Sequence, residues 1–158
     1  MPSFSPSVLV IEGRFYEDIS AELAKGALTA LEEANATVHT ISVPGALEIP
    51  QALTFAIRAG LTPFGATRWR YHGAVALGCV IRGETAHFDI VANESARALM
   101  NIATTSGVPV GNGILTVENE SQAWERASIT KGNKGADAAH ACLRLIDVFM
   151  ESHGFGSE

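Results

Sequence analysis

GAVALGCVI, residues 73–81, is the most apolar run in the chain and carries no charge. A short unbroken apolar run bounded by polar and turn residues is what a strand covered on both faces presents. His72 precedes it and Gly83 follows two residues later, so the stretch predicts a central strand. Upstream, Val8 to Ile11 in SVLVIEG form a second such run. Thr37 to Val43 is rich in β-branched residues and reads as a third strand. Downstream, Val110 to Val117 reads as the fourth.

The segments between these strands change period. Ile19, Leu23, Ala27, Leu31 and Ala34 recur every three or four residues, with Glu17 and Asp18 in the first turn and Asn35 at the end. A helix is expected from about Glu48 to Ala59, stopping at Gly60. Residues 61–72 lack a period and read as a loop. Phe88 to Ser106 reads as a helix closed by Gly107 and Pro109. Ser121 is expected to cap a short helix. KGNKG, 131–135, reads as a turn before a last helix from Ala136 to Ser152. Strands alternating with helices imply parallel pairing. The prediction is an α/β, three-layer, flavodoxin-like domain with a four-stranded parallel sheet. It spans 1–158 as one domain, with 1–7 a loose N-terminal tail.

Composition narrows the function classes. Apolar residues make up 47% and charged residues 18%, against about 25% charged in an ordinary domain. That excludes disorder, which needs low hydrophobicity and high charge. It leaves an alanine-rich core and burial against further copies of the chain as equal explanations. The net charge is −6 and the 11 Lys and Arg residues form no basic run, which argues against nucleic acid. No apolar stretch is long enough to span a membrane, and the first residues lack a signal-peptide pattern. The expectation is a cytoplasmic protein with no membrane partner. Cys79 and Cys142 form no close pair and are expected to be reduced and buried.

Ligands of such folds sit at the carboxyl ends of the strands. There the first strand carries Phe15 and Tyr16, rings that either lie over a planar ligand or cap the core. The second ends in Pro44-Gly45 before Glu48, which serves as a helix-start acid or as an acceptor for ligand hydroxyls. The third runs into GETAHFD, 83–89. Gly83, Glu84 and Thr85 before a helix can cradle an anion. His87 has the side chain best suited to proton transfer near neutrality. Asp89 either orients that imidazole or starts the helix. His87 and Asp89 lack a third ligand for a metal. Gly111 and Gly113 form a GxG without the third glycine or a first-strand position, so a dinucleotide fingerprint is rejected. Asn112 faces the expected site, Arg126 is a candidate phosphate contact, and Lys134 a candidate ligand contact or plain turn chemistry. Read alone, the residues imply a planar-ligand and phosphate site with one histidine.

VPGALEIP (43–50), GCVIRGETAHFD (78–89), GVPVGNGILTVEN (107–119) and the ERA…GNKG elements (125–135) together resemble the 6,7-dimethyl-8-ribityllumazine synthase family, in the family's order and over about residues 8 to 150. The resemblance implies condensation of 5-amino-6-(D-ribitylamino)uracil with 3,4-dihydroxy-2-butanone 4-phosphate, the penultimate step of riboflavin biosynthesis, without a cofactor or metal. It implies that Phe15 stacks on the pyrimidine. Ala46, Leu47 and Glu48 would hold the ribityl chain, and Cys79, Val80 and Ile81 the pyrimidine edge. Glu84 and Thr85 with Arg126 would bind phosphate, His87 would move protons, and Lys134 would lie near the pyrimidine. The resemblance also implies a homo-oligomer built on pentamers, with sites shared between adjacent subunits and an association with riboflavin synthase. Asn112, Arg126 and Lys134 would then come from the neighbour. Asn112 stands where many family members have an aromatic residue, and Glu84 where others have a small one. The long 61–72 segment and short N-terminus favour a free pentamer. Two competing classes are a flavodoxin-like flavin-binding module and a non-catalytic paralogue that binds flavin or lumazine.

Overall fold

The computed structural model describes residues 4–60, 62 and 70–154. Four strands form one parallel sheet in the order β2-β1-β3-β4. They are β1 (Ser7–Gly13), β2 (Thr37–Val43), β3 (Gly73–Ile81) and β4 (Val110–Val117). Five α-helices follow the strands: α1 (Glu17–Glu33), α2 (Ile49–Arg58), α3 (His87–Ser106), α4 (Glu120–Ala127) and α5 (Lys134–Ser152). The expected three-layer α/β domain is therefore present, with β3 and β1 inside the sheet.

Alternation along β1 and β3 assigns the layers. Val8, Val10, Val75 and Leu77 pack with Ala27 and Leu31 of α1 and with Ala139, Cys142 and Ile146 of α5. Leu9, Ile11, Ala74 and Ala76 face the other way, onto Ile49 and Leu53 of α2 and Leu99 of α3. Ile19 and Leu23 of α1 meet Ala123 and Ala127 of α4 over Cys79, Leu115 and Val117 at the carboxyl ends of β3 and β4. β3 is buried along nearly its whole length, as its apolar run requires. β2 is not. As an edge strand it buries no residue fully, and Thr37, His39, Thr40 and Ser42 are exposed. Gly111 explains its own presence in β4. A Cβ there would lie 2.0 Å from the Ala138 carbonyl oxygen, so the residue serves close packing of α5, not phosphate binding.

Three element starts differ from the expectation. The α4 cap is Asn119, not Ser121. Its extended backbone brings Oδ1 to the Gln122 N–H at 2.9 Å, which satisfies one of the helix's unpaired donors. α5 begins at Lys134 rather than Ala136, because Asn133 in left-handed backbone turns the chain directly into the helix. A single 3-10 turn, Ala46–Glu48, precedes α2, so the regular helix starts at Ile49. The expected loop over 61–72 lies largely outside the described residues.

Candidate active site at the strand carboxyl ends

Chain order reverses between β1 and β3, because β2 lies on one side of β1 and the later strands on the other. Such a switch point leaves a crevice at the carboxyl ends of the two strands. A cavity of about 500 Å³ occupies it, within the ordinary size range of small-ligand sites. Its walls come from three turns. Phe15 and Tyr16 follow β1, Pro44 to Glu48 follow β2, and Cys79 to Ile81 end β3, with Gly83, Thr85 and His87 after it. Phe88 and Val91 of α3 complete one side.

Local chemistry sets each wall. Phe15 projects into solvent, 73% exposed, with its ring edge-on to Tyr16 at a centroid distance of 5.0 Å. An exposed ring beside a cavity offers a free face for stacking. Burial raises the Tyr16 phenol above its ordinary value, and it pushes the Cys79 thiol up to about 11. Both stay neutral near pH 7, so Cys79 is a packing group and not a thiolate nucleophile. Among the described residues of these walls, Glu48 is the one carboxylate and His87 the one imidazole.

His87 opens α3 instead of standing free on the loop. Its backbone N–H donates to Thr85 Oγ1 at 3.3 Å. That hydroxyl keeps its own proton for a second acceptor. Thr85 is thus oriented at a helix start, the arrangement that suits an anion. Asp89 does not orient the imidazole: its Oδ1 accepts from Arg82 Nη1 at 3.3 Å. Arg82 also binds Glu118 at 2.8 Å and lies 4.3 Å from the Phe88 ring centroid. The β3–α3 connection is therefore tied to the end of β4. Among the described residues no group of three His, Cys, Asp or Glu could hold a metal ion.

A family model described as 6,7-dimethyl-8-ribityllumazine synthase matches residues 5–150. The chain belongs to the 6,7-dimethyl-8-ribityllumazine synthase family. A protein of that name from Bartonella tribocorum is 56% identical over 89% of this chain and 88% of its own length. Another from Azorhizobium caulinodans is 54% identical over 92% of this chain and 87% of its own. A Rhizobium meliloti protein named 6,7-dimethyl-8-ribityllumazine synthase 1 is also 54% identical, over 89% and 90%.

Of the residues expected at a lumazine synthase site, the structure gathers Phe15, Ala46, Leu47, Glu48, Cys79, Val80, Ile81, Thr85 and His87 around one cavity. Glu84 is exposed and does not line it. Three others lie elsewhere. Asn112 is the third residue of β4, opposite Ala76, where its Oδ1 accepts from the Ile114 N–H at 2.9 Å. It borders a second apolar groove of about 480 Å³ between α3, β4 and α5. Arg126 on α4 donates to the Gln122 carbonyl at 3.2 Å, and Lys134 pairs with Asp137 at 3.0 Å. The sequence reading did not single out Phe88 or Val91. Val91 lies four residues after His87 and shares its helix face, which was the available signal for it; Phe88 is His87's chain neighbour.

Proposed function

We propose that this chain condenses 5-amino-6-(D-ribitylamino)uracil with 3,4-dihydroxy-2-butanone 4-phosphate to give 6,7-dimethyl-8-ribityllumazine, inorganic phosphate and water. The observation that carries the reading is the cavity at the β1/β3 switch point, whose walls hold nine of the residues that the family resemblance assigns to the substrates. Family membership over residues 5–150 supports it.

In this reading Phe15 stacks on the pyrimidine and the backbone of Cys79 to Ile81 reads its edge. Ala46, Leu47 and Glu48 hold the ribityl chain, with Glu48 accepting from its hydroxyls. Thr85 and the backbone of Glu84 receive the phosphate. The 5-amino group attacks the ketone carbon and water leaves as the imine forms. Phosphate is then eliminated, the enol left behind becomes a ketone, and the ribityl-bearing nitrogen adds to that carbonyl and expels a second water as the ring closes. Each step moves a proton, the task assigned to His87. The amine and ketone are reactive without help, so holding them together supplies much of the acceleration.

The active form is a homopentamer in the cytoplasm, with sites shared between adjacent subunits. Asn112, Arg126 and Lys134, remote from the cavity of their own chain, then serve the neighbour's. An association with riboflavin synthase, which consumes the product, belongs to the same reading. Mixing the purified protein with both substrates and following lumazine absorbance tests the activity. Formation of product supports it; a folded protein that leaves both substrates unchanged refutes it. Light scattering giving about five chain masses supports the pentamer, and a monomer refutes it.

A further inference from the structure

A ring 73% exposed is held by little beyond its edge contact with Tyr16, so the angle at which Phe15 meets a ligand depends on the turn that carries both. That turn is gripped at several points. The Arg14 N–H donates to the Val43 carbonyl at 3.1 Å, and Ser20 Oγ donates to the Gly13 carbonyl at 3.1 Å. The Arg14 side chain then spans two carboxylates. Its Nη1 donates to Glu12 Oε1 at 3.2 Å and its Nε to Glu17 Oε2 at 2.9 Å. Glu17 lies on the surface of the first turn of α1, whereas Glu12 is only 5% exposed at the end of β1. Ser42 Oγ on the neighbouring strand donates to Glu12 Oε2 at 3.3 Å.

Glu12 is the one charged side chain among the buried described residues. Replacing a buried ion pair by apolar residues is often neutral or stabilising, so stability alone does not account for a carboxylate in this place. A geometric role does. Glu12 anchors the inner end of Arg14, Glu17 holds the outer end, and Phe15 is the next residue in the chain. We propose that Glu12 is a positioning residue: through Arg14 it fixes the β1–α1 turn and thereby the orientation of the Phe15 ring. The inference rests on the reading of Phe15 as the ring that stacks on the pyrimidine.

The test uses the full-length protein labelled with 4-fluorophenylalanine. The Phe15 fluorine line is assigned by its loss in Phe15→Leu, and Glu12→Gln and Glu17→Gln are compared with the parent. The expected result for Glu12→Gln is a displaced Phe15 line and a KM for the pyrimidine raised on the order of tenfold, with kcat and the KM for the phosphate substrate nearly unchanged. Glu17→Gln shifts both readouts the same way, by less. An unmoved Phe15 line overturns the proposal, as does a moved line with an unchanged pyrimidine KM or an equal rise in both Michaelis constants. If Glu12→Gln does not fold, Glu17→Gln decides by the same readouts. If the parent is inactive towards both substrates, the functional reading has failed, and the fluorine line alone decides whether Glu12 orients the ring.

Discussion

Gly13 and Gly45 meet backbone to backbone: a Cβ on Gly13 would lie 2.8 Å from the Gly45 carbonyl carbon and 3.0 Å from its oxygen. The turn after β1 carries Phe15 and the turn after β2 carries Ala46 to Glu48. Only a hydrogen fits between them. Gly13→Ala must push the two turns apart, and backbone yields poorly. The expected loss is about 1–3 kcal/mol of stability, as for other overpacked sites. Turnover falls further, because misplacement on the order of 1 Å is severe for a site that works by orientation. Gly45→Ala is the control. Its backbone is extended and nothing lies within 4 Å of a Cβ there, so its melting curve stays close to the parent's. Equal stability and turnover for Gly13→Ala would contradict the account.

His87→Ala is expected to lose about 10²-fold or less in kcat, at the low end for acid–base catalysis. Arg126→Ala acts instead on the KM or kcat/KM of the phosphate substrate. Because Arg126 lies away from the cavity of its own chain, the two variants complement each other in mixed oligomers. At limiting phosphate substrate, co-refolded subunits turn over faster than either variant alone. Mixtures that merely average the two parents rule out shared sites.

The two thiols give the alkaline limb of the stability curve. Burial pushes Cys79 up to about 11 and Cys142 up to about 12, from an ordinary value of 9.0. Above pH 9.0 the unfolded chain releases these protons and the folded chain keeps them. Stability is therefore complete below that value and falls as pH rises, by at most about 1.4 kcal/mol per pH unit for each thiol. Denaturant titrations across this range should show a shallower pH slope for Cys142→Ala than for the parent. An identical slope counts against burial as the cause.

His72 governs the acid side. Its Nδ1 accepts from the Ser7 N–H at 2.9 Å, a role open only to the unprotonated nitrogen. Burial lowers its pKa below the ordinary 6.5. Its contribution is present above 6.5 and is lost as pH falls through the lower folded value. Between about pH 7 and about pH 5 the parent should lose more melting temperature than His72→Gln. A parallel decline in the two proteins would show that His72 is not the sensor.

Much of this architecture was legible because the strands advertise themselves. Thr37–Val43, Gly73–Ile81 and Val110–Val117 have the bounds that their apolar or β-branched runs predict. The strand-end rule pointed to Phe15, Glu48, Thr85 and His87, and the family resemblance added Ala46, Leu47, Cys79, Val80 and Ile81; all nine line one cavity. Helix starts were less legible, since a cap depends on backbone angles. Ser121 and Asn119 are both capping types, and only the extended backbone of Asn119 selects between them. Asp89 looked available to His87 in sequence because its partner, Arg82, sits seven residues earlier and reaches it only across the folded turn. Glu12 escaped notice for a related reason. One acid at the end of an apolar strand reads as exposed until Arg14 and Ser42 are seen to enclose it.

Cys79 and Cys142 are the chain's two cysteines, and both lie beneath the surface as free thiols. The folded protein is in consequence a blank slate for thiol-directed labelling. A cysteine installed at an exposed position such as Glu32 becomes the single address for a dye, a spin label or a surface tether. Neither native sulfur has to be removed first, and the wall that Cys79 contributes to the cavity is left as it stands.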